Sequence, residues 1–151
     1  MRFFLHSVIA CLVLFATAGA QGVARAEVVL VASSGIHFNE ISKTKLRDLY
    51  TGQKQEVNDS TVLVIDRNDE FGERNLFISN TLGFTIEEFR TVQRLLECIG
   101  VSKAPTIARS SQHMVELLTG NPNALGYLTR KEFQAHNLMK SKLKTIKILA
   151  E

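Results

Sequence analysis

The sequence predicts an α/β fold, a single three-layer domain with a mainly parallel sheet, and three observations predict it. Short apolar runs at Val28–Ala32, Val62–Ile65 and Ala124–Leu128 are separated by longer stretches with three-to-four apolar spacing. Cap residues stand at the junctions, which marks where strands give way to helices. Once a leader is set aside, roughly 125 residues remain, the size of one ordinary domain with a real core. Strands alternating with helices pack as layers around such a sheet.

Taken in order, Val28–Ala32 is a continuous apolar run that Ser33-Ser34-Gly35 ends, as expected of a buried central strand. Ser42 is placed to cap the next helix, with Ile41 and Leu46 spaced as a hydrophobic staple. Leu46, Leu49 and Tyr50 form its inner face, and Gly52 suits its C-terminal stop. After the polar stretch Gln53–Ser60 comes the Val62–Ile65 strand, then a helix carrying Leu76, Phe77 and Ile78 that ends near Gly83. Thr85 and Glu88 form a capping box for a longer surface helix whose inner face is Ile86, Phe89, Val92, Leu96 and Ile99.

Thr106–Ala108 is a short strand. Ser110 or Ser111 caps a helix through Met114, Val115 and Leu118 that Gly120 and Pro122 terminate. Ala124–Leu128 is the next strand, Thr129 and Glu132 form a second capping box for a short helix through Phe133, and Lys144–Ala150 closes the chain as one strand with Ile146 and Ile148 on one face. No repeat, low-complexity tract or second domain is visible.

Residues 1–26 read as a cleaved secretory signal peptide. Arg2 gives a positive start, Val8–Ala20 is a short apolar core, and Ala24-Arg25-Ala26 has the form that signal peptidase cleaves. The core is well short of the roughly 20 residues that span a bilayer, so no membrane span is expected after its removal. Cys11 lies inside the apolar run rather than after it, which argues against lipidation. The expected location is periplasmic or secreted. Cys98 is then the only cysteine, and no intrachain disulfide is expected. Without Arg2 and Arg25, the 18 basic residues become 16 against 15 acidic ones, a net charge of +1. That balance, with no basic aromatic-studded patch, excludes nucleic acid as the expected partner.

Chemistry is sparse. There is no G-x-S-x-G elbow, and Ser-x-x-Lys occurs twice, at Ser42/Lys45 and Ser141/Lys144, where Ser42 is better explained as a cap. His37, His113 and His136 are far apart and Cys98 stands alone, so no metal site is expected. Asp66-x-Asn68-x-Glu70 begins like a calcium loop, but Phe71 occupies the glycine position and Phe77 that of the closing glutamate. Neither an enzyme nor a cofactor is expected.

The informative segment is Val62–Phe77. An apolar run delivers Asp66-Arg67 into an acidic turn closed by Gly72 and followed by a helix. A strand ending in arginine before a helix start is a seat for a small anion, because N–H groups and a guanidinium converge there. Asp69, Glu70 and Glu73 crowd the same turn, and a local salt bridge from Arg67 to Asp66, Asp69 or Glu70 is the plain alternative. Arg74, in the first helical turn, opposes the helix dipole by about 0.3–1 kcal/mol and calls for a partner such as a bound anion or Glu70.

Three segments together resemble one family. Leu46-Arg47-Asp48-Leu49-Tyr50-Thr51-Gly52-Gln53-Lys54, then Val64-Ile65-Asp66-Arg67 with Gly72 and Phe77, then Asn121-Pro122-Asn123-Ala124-Leu125-Gly126-Tyr127 resemble, in order, the L-x-x-I-[YF]-x-G-K, R-x-x-x-S-G-T-x-x-x-F and N-P-G-A-I-G-Y segments of phosphate-binding proteins of ABC transporters. These are type II periplasmic binding proteins, and the resemblance covers one lobe of their two-lobed clamshell over residues 27–151, as in short single-lobe relatives.

The resemblance implies a solute-binding module for phosphate or another small oxyanion, connected with ABC-type uptake. By position, Arg67 matches the phosphate arginine and Gly72 the glycine, while Phe71 stands in place of serine and Glu73 in place of threonine. Hydroxyls of Ser33, Ser34, Ser110 or Ser111 at neighbouring loop ends would complete the anion site, and Glu73 and Arg74 are counted among its ligand-binding residues. A ring and a carboxylate in place of two hydroxyls open two other readings. One is a non-transport interaction or sensory module that keeps the scaffold, has lost phosphate, and binds a protein partner in the cell envelope. The other is a site re-tuned by Glu73 and Arg74 for a zwitterion or cation.

Overall fold

The computed structural model describes residues 27–68, 70–136 and 141–150. The signal-peptide reading of residues 1–26 and the part given to Asp69 lie outside the described residues.

Five strands form the central sheet in the order β6-β5-β7-β1-β8. They are β1 (Val28–Ser33), β5 (Leu63–Arg67), β6 (Thr106–Ala108), β7 (Ala124–Thr129) and β8 (Leu143–Thr145). β5 runs parallel to both β6 and β7, whereas β1 is antiparallel to both β7 and β8. The sheet is therefore mainly parallel, with β5, β6, β7 and β8 pointing one way. The first strand is interior, as expected of a continuous apolar run, but it is the one reversed.

Side-chain alternation along these strands feeds two cores. Leu30, Ala32, Val64, Leu125 and Tyr127 face α1 (Lys43–Thr51), α2 (Gly72–Leu76), its π-helical continuation Phe77–Leu82 and α3 (Ile86–Cys98). Val31, Ile65, Ala108, Ala124 and Leu128 face Met114, Val115 and Leu118 of α4 (Ser111–Gly120). This gives the three layers. Gly126 sets their spacing on the α4 side, because a Cβ there would stand 2.7 Å from the Met114 sulfur. Gly126→Ala is expected to destabilise the protein by roughly 1–3 kcal/mol through overpacking, read from the midpoint of urea unfolding.

The helix caps form as the sequence predicts. Ser42 accepts from Lys45 N–H, and Thr85 with Glu88 and Thr129 with Glu132 close reciprocal capping boxes. Gly52 ends α1 at φ 82°, a left-handed stop.

Three elements differ from expectation. The polar stretch before β5 contains a hairpin of β3 (Glu56–Val57) and β4 (Ser60–Thr61), turned by Asn58 and Asp59 at φ 51° and 62°. Asn-Asp suits that two-residue turn. The closing segment is not one strand but two. β8 pairs with β1, then Ile146 N–H reaches Leu30 C=O at 3.0 Å, and β9 (Lys147–Leu149) pairs in parallel with β2 (Glu40–Ser42). Along α3 only Phe89 is fully buried, and Ile99 is 69% exposed because the C-terminal half of the helix runs past the core.

Candidate functional site

Hydrogen bonds and ion pairs gather at the end of β5. Successive strand side chains point to opposite faces, so Asp66 and Arg67 build two different networks.

On the α1–α3 side, Asp66 is 1% exposed and fully committed. Its Oδ1 accepts from Tyr127 Oη at 2.6 Å and from Arg67 N–H at 2.8 Å, and its Oδ2 accepts from Arg74 Nε at 3.0 Å. The Tyr127 ring stacks on Phe77 at 4.0 Å, and Tyr50 lies 6.1 Å from Tyr127. Burial, followed by the Asp66 charge, pushes both tyrosine hydroxyls well above their ordinary range. They remain protonated donors, Tyr50 to Ile65 C=O and Tyr127 to Asp66. The Arg74 guanidinium also sits over the Phe89 ring at 5.5 Å. A partner for Arg74, whose position opposes the helix dipole, is thus Asp66.

On the α4 side, Arg67 is 1% exposed, and among the described residues its guanidinium pairs with Glu132 rather than with Asp66 or Glu70. Nη2 donates to Glu132 Oε2 at 2.8 Å and Nη1 donates to Ser111 Oγ at 3.4 Å. Ser111 Oγ in turn donates to Glu132 Oε1 through a short hydrogen bond. Thr129 N–H donates to Glu132 Oε2 at 2.8 Å. The Phe71 and Tyr127 rings lie 5.4 and 5.9 Å from the guanidinium carbon, and Arg67 Nε has no hydrogen-bond partner among the described residues. The anion that an arginine at a strand end invites is thus present, and the protein itself supplies it.

Glu132 is the third residue of α5 (Arg130–Ala135), which starts immediately after β7. Burial pushes its carboxyl upward, but hydrogen bonds from Ser111 and Thr129 together with the Arg67 charge outweigh this and hold it below the ordinary glutamate range. A lowered folded value means the stabilisation is complete above the unfolded pKa, about 4.3, and is withdrawn as pH falls through the folded value. The groups facing it are Arg67 and Ser111 across the seat and Thr129 at its own cap, while neighbouring Arg130 is bound to Glu27. The difference in thermal midpoint between wild type and Glu132→Gln is expected to be largest near pH 7 and to shrink as the pH drops below about 4.

Of the expected site residues, Arg67 and Ser111 come together and the others do not. Ser33 and Ser34 are corrected by the direction of β1. Val28 pairs with Thr129 at the Arg67 end of the sheet, while Ala32 pairs with Leu125, so Ser33 lies roughly 16 Å along the strand at the opposite end. Ser110 is occupied as the cap of α4, accepting from His113 N–H at 3.0 Å. Gly72 opens α2 as an exposed residue, with nothing within 4 Å of where a Cβ would stand, and Glu73 is half-buried in the same turn. The seat is therefore narrower than the expected one. Its missing member, Glu132, was legible only as a capping residue.

No family model matches the sequence, and no curated protein matches it. Solved structures do. A protein of Clostridium perfringens described as a phosphate ABC transporter substrate-binding protein, solved with bound phosphate, superposes with a TM-score of 0.59 at 21% identity over 81% of this chain and 44% of its own. An ABC-type phosphate transport receptor of Vibrio cholerae gives 0.60 at 21% identity, covering 83% and 47%. PstS of Borrelia burgdorferi gives 0.62 at 17%, covering 82% and 47%. The chain has the α/β fold of these phosphate-transport binding proteins and spans less than half the length of each, as the single-lobe resemblance implies.

Proposed function

We propose that this chain is an exported module with a solute-binding-protein fold that no longer holds phosphate at Arg67 and serves instead as an interaction module for a protein of the cell envelope. The observation that carries this reading is the burial of Arg67 at 1% exposure with Glu132 as its counter-ion. A phosphate placed there would have to displace a tethered carboxylate, and the two hydroxyl donors that the resemblance calls for are replaced by the Phe71 ring and Glu73. The interaction role draws support from the surface. Leu95, Ile99 and Val101, at the end of α3 and in the loop beyond it, and Ile107 on the edge strand β6 are exposed large apolar side chains, of the kind protein partners cover.

Titration calorimetry of the mature protein with phosphate and with sulfate tests the first half of this reading. The expected result is no saturable heat up to millimolar ligand, and saturable phosphate binding to the wild type overturns it. Cross-linking in envelope preparations, comparing wild type with Ile99→Lys, tests the second. Loss of a specific adduct in the variant is expected, and an identical adduct pattern removes that surface from consideration.

A further inference from the structure

We propose that the Arg67 seat is a carboxylate site, that Glu132 is its resident and displaceable occupant, and that a small free carboxylate binds there once the Glu132 side chain is taken away. The donors are arranged for two oxygens. Arg67 Nη2 and Thr129 N–H converge on Oε2, and Ser111 Oγ binds Oε1, so each oxygen of one planar group is served. Arg67 donates to the carboxylate through Nη2 and holds Ser111 through Nη1, so one buried guanidinium places both donors. The Phe71 and Tyr127 rings crowd the guanidinium. A tetrahedral dianion, with further oxygens to satisfy, is poorly matched to this set.

The two halves of the seat are held very differently. Arg67 is 1% exposed and anchored in the sheet, whereas the Glu132 side chain is 21% exposed and no residue of α5 is buried. Releasing the Glu132 side chain therefore disturbs its own cap, while α5 stays docked on the core through partly buried Phe133. In the intact protein the tethered carboxylate competes at a high effective concentration, which keeps free carboxylates out. Truncation at residue 132 removes the competitor and leaves Arg67, Ser111 and the Thr129 N–H in place.

This inference rests on the reading that Glu132 has closed the seat to phosphate, but its test is separate, because the wild-type calorimetry examines that reading alone. Thermal unfolding of wild type, Glu132→Ala and Glu132→Gln is followed in formate, acetate, phosphate and sulfate at matched ionic strength. In Glu132→Ala, formate or acetate is expected to raise Tm saturably, by roughly 3–6 °C at ten times the dissociation constant. Wild type and Glu132→Gln, whose side chains fill the seat, are expected to stay flat. If Glu132→Ala is unfolded in plain buffer, the same titration is read by circular dichroism as refolding. The proposal is overturned by no response or refolding in either carboxylate, by an equal response in wild type or Glu132→Gln, or by phosphate and sulfate matching the carboxylates.

Discussion

Asp66→Ala is expected to cost about 3–5 kcal/mol, a large share of the roughly 5–15 kcal/mol that holds a domain folded. Asp66 is one of the most buried charges described, and a single carboxylate serves three donors: the Tyr127 hydroxyl, the Arg67 N–H and the Arg74 guanidinium. Removing it leaves the Tyr127 hydroxyl proton without its acceptor beside the Phe77 ring and takes from Arg74, 6% exposed, a buried carboxylate. Tyr127→Phe removes only one of the three bonds and is expected to cost about 1–2 kcal/mol. Urea unfolding of the two variants checks both values, and similar midpoints for the two would show that the carboxylate is not the hub of the network.

The second large effect concerns the pair across the seat. Arg67→Ala and Glu132→Ala are each expected to cost about 2–4 kcal/mol, somewhat below the range for breaking a fully buried pair, because Glu132 is 21% exposed. The combined replacement Arg67→Met with Glu132→Leu is expected to cost far less than the sum of Arg67→Met alone and Glu132→Leu alone, since each single change leaves one desolvated charge unpaired and the double change leaves none. A double-mutant cycle by chemical denaturation reads this coupling. Additive losses would mean that each residue is held by something other than its neighbour across the seat.

How much of this was legible in the sequence depends on whether a feature is local. Caps at Ser42, Thr85 and Thr129 are written within four residues of themselves, and each forms. The apolar runs of β1, β5 and β7 announce interior strands, but not direction. Nothing in Val28–Ala32 says that it runs against β7, and that orientation alone removed Ser33 and Ser34 from the site. At the seat, Arg67 stood out because it follows a strong strand, whereas its partner lies far along the chain. Glu132 had a sufficient local explanation as a capping glutamate, and one carboxylate with two oxygens fills both roles. The break of the last strand at Ile146 was likewise hidden, because β2 and β9 meet only through tertiary packing.

The reversed first strand has a consequence for how the chain reaches its native state. β1 is flanked by β7 and β8, so Val28 waits for Thr129 and Val31 for Thr145, roughly a hundred residues later in each case. Until Ala124 and the residues after it are available, both edges of a strongly apolar strand are bare, a template for the wrong chain as much as the right one. Closing loops of that length before any pairing is gained favours slow assembly over rapid local nucleation. β1 therefore joins β5 in one sheet only through β7, and the arrival of β7 is also what brings Glu132 to Arg67.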